Sequence, residues 1–522
     1  IRSIGEKSRF PHSYIVCPHQ ASVNQPVKLE NMRDIIFTFF NYFVFFYTSM
    51  LAIFFVTFAF LSFISLKRRK DYYVESYMRK TIKESPYTPG ISVIAPAFNE
   101  EKTIIDNVNS MLALEYPLFE VVIVNDGSTD STLKKMTEYY ELVEVPYAYI
   151  ERIKTRPFRR LLKSSNPKYS RLIVVDKENG GTKADASNAG INVASYPYFI
   201  CTDVDCILEK YALYRCISPI ISSEKQVIAV SGTMLMANGC VVKDGQIIDV
   251  RTPRTPIPLF QNLEYMRSYL IGKMGWSAIN GMPNVSGGFG LFDRSVAIAA
   301  GGYDAPSFAE DMDLITRMVG YMCDFSRPYK IVQIPDTCCW TEGPPNLAML
   351  YRQRTRWARG LFQTLNIHRK MIFKKTYKQM GLLTLPYMFV FEFLAPIIEL
   401  VGLIVFIYLA FTGAVNWNTA WMIYLTIYTF CQFLSIVVIT YDYYVGMLYK
   451  RGYEYLWIII ASILEPIFYH PIITFCSLRG YLSYLTNRDF KWKNMERKGF
   501  KQKEESADGT DITAMKPEPA TI

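Results

Sequence analysis

Histidine is scarce in this chain: 522 residues contain only His12, His19, His368 and His470. With so few, acid–base chemistry falls to Asp and Glu. The ten cysteines include no C-x-x-C pair and no Cys/His spacing suited to zinc. That excludes a structural zinc module and reads as reduced thiols in a cytosolic or membrane setting. From 71 to about 380 no apolar run is long enough to span a bilayer, whereas residues 35–66 carry no charged side chain at all.

What is present is apolar and aromatic, 50% and 15% of residues, with a net charge of +10. The aromatics sit inside apolar runs, which points to a membrane protein and away from a nucleic-acid binder. Residues 35–66 predict one long, tilted transmembrane helix, too long for the apolar region of a signal peptide. "KRRK" at 67–70 places its far end in the cytoplasm by the positive-inside rule, leaving residues 1–34 as an extension outside. Further transmembrane helices are expected within 381–478, at 382–411, 419–441 and 455–478, before a basic cytosolic tail at 479–522. Four crossings would leave that tail outside. Either the segment bearing Glu465, Pro466, His470 and Pro471 is re-entrant, or another segment crosses twice.

Between about 90 and 345, strand-like and helix-like stretches alternate. "GISVIAPAFNE", "YPLFEVVIVNDGSTD", "RLIVVDKENGG" and "YFICTDVDC" each read as a strand ending in a polar loop. Ile104, Val108, Met111 and Leu112 recur at helical spacing between the first two. This alternation predicts a parallel, doubly wound α/β sheet whose ligands lie beyond the carboxyl ends of the strands. Asp203 and Asp205 close an apolar strand, where two acids mark either a surface turn or a shared cation. "CVVKDGQIIDV" (240–250) reads as a hairpin, and "RTPRTPIP" after it as a proline-rich loop able to cover a cleft. "TRPFRRLLKSSNPKYSR" (155–171) reads as a basic loop on a solvated or lipid-facing surface.

The polar stretches form an ordered series: "PAFNEE" (96–101), "VNDGSTD" (124–130), "GGTKADASNAG" (180–190), "TDVDC" (202–206) and "FAEDMDL" (308–314), followed by "YRQRTRWARG" (351–360). In that order, between membrane helices, they resemble the membrane-integrated family 2 glycosyltransferases. These are the synthases of poly-N-acetylglucosamine, hyaluronan, chitin oligosaccharide and cellulose, with the bacterial poly-N-acetylglucosamine synthases the nearest in feel. The resemblance implies a GT-A-like α/β domain at 90–345, with a mixed, mostly parallel sheet and transmembrane helices at both ends. It places Glu100 along the uridine of a UDP-sugar, Asp126 on the uracil, Lys183 on the diphosphate, and Mg²⁺ or Mn²⁺ on Asp205 and Asp203. Asp203 has the ribose or sugar as its other implied partner. Asp311 is the implied general base, and Ala309 departs mildly from the family's Thr or Gly there. Gln353, Arg356 and Trp357 match the family's Q-x-x-R-W, on interfacial amphipathic helices at 346–380. "VSGGFGLF" (285–292) resembles the acceptor-side loop.

Plainer readings stand beside these. Asp126, Ser128 and Asp130 suit a turn or helix N-cap. "EDMD" suits a first helical turn, and if the segment is helical Asp313 points away from Asp311. Arg352, Arg354, Arg359 and Trp357 fit a lipid-headgroup surface. Glu392, Glu399 and Glu465 fit either a polar channel or inter-helix hydrogen bonding.

The expected function is an inverting, metal-dependent hexosyltransferase, taking hexose or N-acetylhexosamine (N-acetylglucosamine foremost) from a UDP-sugar to a growing β-linked cell-surface glycan. The alternatives are single transfer to a lipid acceptor such as a polyprenyl phosphate or sphingolipid, and a non-catalytic membrane component. The expected place is the cell (inner) membrane, multi-pass, with the catalytic domain cytoplasmic. The expected partners are the UDP-sugar, the glycan acceptor and membrane lipid; no nucleic acid is expected, and an accessory subunit is left open.

Overall fold

The computed structural model describes residues 25–72, 75–243 and 245–486. Of the expected extension (1–34) and basic tail (479–522), residues 1–24 and 487–522 lie outside them, while residues 25–34 and 479–485 belong to helices. The chain divides into two units, Ile1–Phe54 and Phe55–Ile522. The described part of the first is helical, the amino-terminal stretch of Gln25–Tyr72. Phe39, Tyr42, Phe45 and Phe46 are exposed on it, and the Thr48 hydroxyl donates back to the Val44 carbonyl (2.9 Å). An apolar helix that satisfies its own polar groups is what lipid demands.

The second unit is built on a ten-stranded sheet. Its strands are β1 (Ile91–Ala97), β2 (Phe119–Asp126), β3 (Leu142–Glu144), β4 (Phe158–Ser164), β5 (Leu172–Lys177), β6 (Tyr198–Thr202), β7 (Ile207–Leu208), β8 (Gln226–Met236), β11 (Phe289–Asp293) and β12 (Tyr329–Thr341). A separate antiparallel pair, β9 (Val241–Lys243) and β10 (Gln246–Asp249), is the hairpin expected at 240–250. The order across the large sheet is β3-β4-β5-β2-β1-β6-β11-β8-β12-β7. The central run β5-β2-β1-β6 is parallel, as is β8-β12. β2 is buried along its whole length, as a strand covered on both faces must be. The parallel strands end together, so the loops after Ala97, Asp126, Lys177 and Thr202 share one edge.

The sheet is mixed, as the family resemblance implies: β11 enters antiparallel between β6 and β8, at the end of the long excursion that follows β6. Two other expectations change. Residues 158–164 form a strand, not a loop: β4 pairs antiparallel with β3 and β5, burying Leu161 and Leu162. Arg160 reaches Asp176 at 3.0 Å. Part of the proline-rich segment is helix, not loop. Pro256 opens the helix Pro256–Arg267, where a missing N–H costs nothing, and Thr252 is buried with its N–H (3.0 Å) and hydroxyl (2.5 Å) on Glu454.

Among the described residues, four helices are long and apolar enough to cross a membrane: Asn41–Arg68, Met380–Phe411, Trp417–Val445 and Gly452–Leu485. They suggest a multi-pass membrane protein. The last runs unbroken through Pro466 and Pro471, which speaks against re-entry there. The second carries π-helical turns at Met380–Thr384 and Met388–Phe393 before the α-helix Ala395–Phe411, which has Pro396 in its first turn. Glu399 accepts from His470 (3.1 Å) and Thr474 (2.6 Å), and Glu465 pairs with Arg267. For these two carboxylates, hydrogen bonding between elements is the arrangement found.

Candidate active site

At the first strand end, Asn99 adopts a left-handed conformation (φ 57°). Its Oδ1 accepts from the N–H of Thr129 (2.8 Å), tying "FNE" to "NDGSTD". The Glu100 N–H donates to Thr132 Oγ1 (2.8 Å), while its carboxylate accepts from the Thr103 hydroxyl (3.2 Å). Asp130 Oδ1 accepts from the N–H of Thr132 (2.9 Å), the first residue of the next helix, whose N-cap is Ser131. Of the acids expected to serve this turn, Asp130 does so, and Asp126 faces elsewhere.

Asp126 Oδ1 accepts from Lys177 Nζ (2.7 Å) and from the Gly180 N–H (3.0 Å). Lys177 is fully buried and also bonds Asp185 Oδ2 (2.5 Å) and the Glu178 carbonyl (2.6 Å). One ammonium thus balances two carboxylates, which a buried charge requires. Gly127 turns the chain here at φ +65°, where a Cβ would lie 2.7 Å from the Asn179 nitrogen. Sequence reasoning passed over Lys177 and Asp185. The available signal was a lysine ending an otherwise buried strand.

At the end of β6, ligand atoms of Asp203, Asp205 and Cys206 lie within 4.8 Å of one another. The two carboxylates offer hard oxygen donors, the kind Mg²⁺ and Mn²⁺ take, and both side chains are half-buried. The residues fit such an ion. Lys183 opens the helix Lys183–Val193 behind its N-cap Thr182, and its Nζ meets Asp203 Oδ1 (2.6 Å) and the Gly287 carbonyl (2.5 Å). Burial alone would lower this ammonium's pKa, but Asp203, with Cys201 and Glu310, outweighs it and the net shift is upward. The lysine expected at the diphosphate thus rests against the acid expected at the metal.

Asp311 lies in the first turn of the helix Glu310–Asp324. Its Oδ2 accepts from Asn284 Nδ2 and from the Gly287 N–H, each at 3.2 Å. The neighbouring Gly288 carbonyl accepts from the Thr202 hydroxyl (2.9 Å). The glycines of "VSGGFGLF" therefore lace three motifs together: Asp311 on one side, Lys183 with Asp203 on the other, and the end of β6 behind. Asp313 points away, as helical spacing requires, and pairs with Arg317 (2.7 Å) and His368 (2.8 Å). Burial opposes its ionisation, but these partners win and hold its carboxyl below the usual range.

Two further groups join this end. Glu310 is raised, chiefly by burial; Lys183 and Arg356 oppose that shift, and Asp311 and Asp203 add to it. Lys273 is buried, with its ammonium 4.6 Å from the centre of the Tyr269 ring. Burial lowers it to about 8, partly countered by Asp311.

The helix Leu347–Ile367 carries the Q-x-x-R-W. Gln353 Oε1 accepts from Gln261 Nε2 (3.0 Å), and Arg356 and Trp357 are half-buried. The lipid-headgroup reading fails for two of its arginines. Arg354 is buried against Glu264 and Tyr469, and Arg359 lies 4.0 Å over the Phe308 ring. The helix is hemmed in on both sides. A Cβ on Gly360 would come 2.6 Å from that of Ala309, and one on Gly480 would come 2.7 Å from the Thr355 carbonyl. An arginine on this face has protein, not headgroups, to meet.

Residues 92–234 match the model of glycosyl transferase family 2, and residues 254–470 that of glycosyl transferase family group 2. The chain is 30% identical over 278 residues to the poly-beta-1,6-N-acetyl-D-glucosamine synthase of Staphylococcus aureus (strain COL), covering 53% of this chain and 55% of that one. With the synthase of the same name from Staphylococcus epidermidis it shares 28% over 282 residues, 54% of this chain and 57% of the other. The chain thus spans about half the length of the curated relatives it matches. Among solved structures, it is similar to a mannosyltransferase from Pyrobaculum calidifontis in complex with GDP-Man and Mn²⁺, with a TM-score of 0.45 and 17% identity over 84% of this chain and 99% of that one. With its motifs in order on a mixed α/β sheet flanked by membrane-length helices, the chain belongs to glycosyltransferase family 2.

Proposed function

We propose that this protein transfers a sugar, N-acetylglucosamine foremost, from its UDP conjugate to the hydroxyl of a growing β-linked glycan, with inversion and on the cytoplasmic face of the membrane. The observation that carries this reading is the lacing of Asp311 to Lys183 and Asp203 through Gly287. A base and a phosphate-binding cation then share one short loop.

In this mechanism Asp126 keeps Oδ1 on Lys177 and presents Oδ2 to the imide N–H of uracil. Asp205 and Asp203 would hold Mg²⁺ or Mn²⁺, which supplies charge neutralisation on the leaving diphosphate. Lys183 and Arg356 bring fixed positive charge to the same oxygens. Asp311, oriented by Asn284 and the Gly287 N–H, takes the proton of the acceptor hydroxyl. The acceptor oxygen bonds to the anomeric carbon as the bond from that carbon to the phosphate oxygen breaks, and UDP departs. Trp357 offers a ring face on which a sugar can stack.

The test is UDP release by detergent-purified protein given UDP-N-acetylglucosamine, UDP-glucose or UDP-galactose with Mn²⁺. Release with one donor, lost in Asp311→Asn while UDP still binds, supports the reading. Undiminished release by Asp311→Asn overturns the assignment of the base.

A further inference from the structure

Arg354 holds its planar head in a buried network of side chains. Its Nη1 and Nη2 donate to the two carboxylate oxygens of Glu264 at 2.6 and 2.5 Å. Nη2 also donates to the Tyr469 hydroxyl (2.9 Å), which itself donates to Glu264 (3.0 Å). The same guanidinium lies 4.5 Å from the centre of the Trp357 ring. Three elements meet in it: the helix Pro256–Arg267 through Glu264, the membrane-length helix Gly452–Leu485 through Tyr469, and its own helix Leu347–Ile367. Arg354 is 6% exposed, so solvent screens little of this.

The geometry points to Arg354 as a positioning residue that fixes the Trp357 ring through Glu264 and Tyr469. This deepens the proposed function, since it takes Trp357 as a sugar contact. The physical basis is that a forked guanidinium with both ends bonded cannot rotate, so the face it stacks on is held as well. A lysine keeps the charge but has neither the fork nor the plane. The Tyr469 bond carries a consequence: a shift of the Gly452–Leu485 helix would be felt at the Trp357 ring. Displacements of about 1 Å in such positioning contacts cost on the order of 10²-fold in rate.

The experiment compares wild type, Arg354→Lys and Tyr469→Phe as full chains in detergent. It follows acrylamide quenching of Trp357 (by difference against Trp357→Phe in each background), UDP affinity, and UDP-sugar turnover. The expected result for Arg354→Lys is at least a doubling of the Trp357 quenching constant and a tenfold or greater fall in turnover, with UDP affinity within twofold of wild type. Tyr469→Phe shifts quenching and turnover the same way but less. Unchanged Trp357 quenching, or equal losses in UDP affinity and turnover, overturns the inference. If Arg354→Lys does not fold, Glu264→Gln takes its place with the same expected and overturning results. A wild type that turns over no UDP-sugar would instead count against the proposed function, while the quenching comparison still decides the positioning.

Discussion

Replacing Lys177 with Met removes the one ammonium that balances two enclosed carboxylates. The Asp126 and Asp185 side chains are 8% and 11% exposed and Lys177 is not exposed at all. Met fills much of the same volume, so the loss is electrostatic and not a cavity. Removing one partner of a buried pair costs about 3–5 kcal/mol, because the other charge stays behind without compensation. At roughly 2–4 °C per kcal/mol for a unit of this size, Tm should fall by roughly 6–20 °C. The Lys177→Met/Asp185→Asn double variant strands one carboxylate fewer and should recover part of that fall. It should not recover nucleotide binding, because Asp126 still lacks the contact that orients it. UDP affinity should fall at least tenfold in both variants. Thermal unfolding in detergent and calorimetric titration with UDP read the two effects separately. A Lys177→Met protein within 2 °C of wild type with unchanged UDP affinity would refute the reasoning.

Asp311 and Asp313 should separate cleanly. Asp311→Asn keeps its shape and neighbours, so Tm should stay within about 2 °C while turnover falls by roughly 10²–10⁴-fold. Asp313→Asn breaks the contacts to Arg317 and His368 and should cost about 3–5 kcal/mol of stability, with turnover per folded molecule largely kept. The Asp313 contribution is present above the ordinary carboxylate range and lost as pH falls through its lowered folded value, so Asp313→Asn should blunt acid unfolding. For Lys273 the sign reverses. Its folded value of about 8 lies below lysine's ordinary one of about 10.4; the unfolded chain holds that proton more tightly, so stability rises with pH between the two. The Tm difference between Lys273→Met and wild type should move toward wild type between about pH 8 and 10, and a constant difference would contradict this. Chelation of divalent cations should abolish turnover, with Asp205→Asn needing more Mn²⁺ than wild type for half-maximal recovery and for half-saturation in a direct Mn²⁺ binding titration.

The strand ends and their loops were legible because each is a local pattern: an apolar run, then acids or glycines. Asp126, Asp203 and Asp205 stand at such strand ends; Lys183 and Asp311 could be named only through the resemblance of their motifs to those of family 2 glycosyltransferases. What escaped depends on partners distant in sequence. Arg354 and Glu264 are 90 residues apart, and helical spacing alone cannot tell a buried arginine from one that meets headgroups. Lys177 looks like an ordinary lysine after a strand until Asp126 and Asp185 close on it. β4 hides because "FRRLLKS" sets Leu161 beside Leu162, with no alternation to announce a strand. The direction of β11 cannot be read from chain order, since the long insertion before it can return the chain either way.

The central claim is best tested by the size of what the protein makes. Membranes carrying the full chain would be incubated with Mn²⁺ and radiolabelled UDP-N-acetylglucosamine, beside an Asp311→Asn control, and the labelled product sized. High-molecular-weight label, absent from the control, is the predicted result. Label confined to a small, solvent-extractable lipid, or equal in the control, would contradict the account.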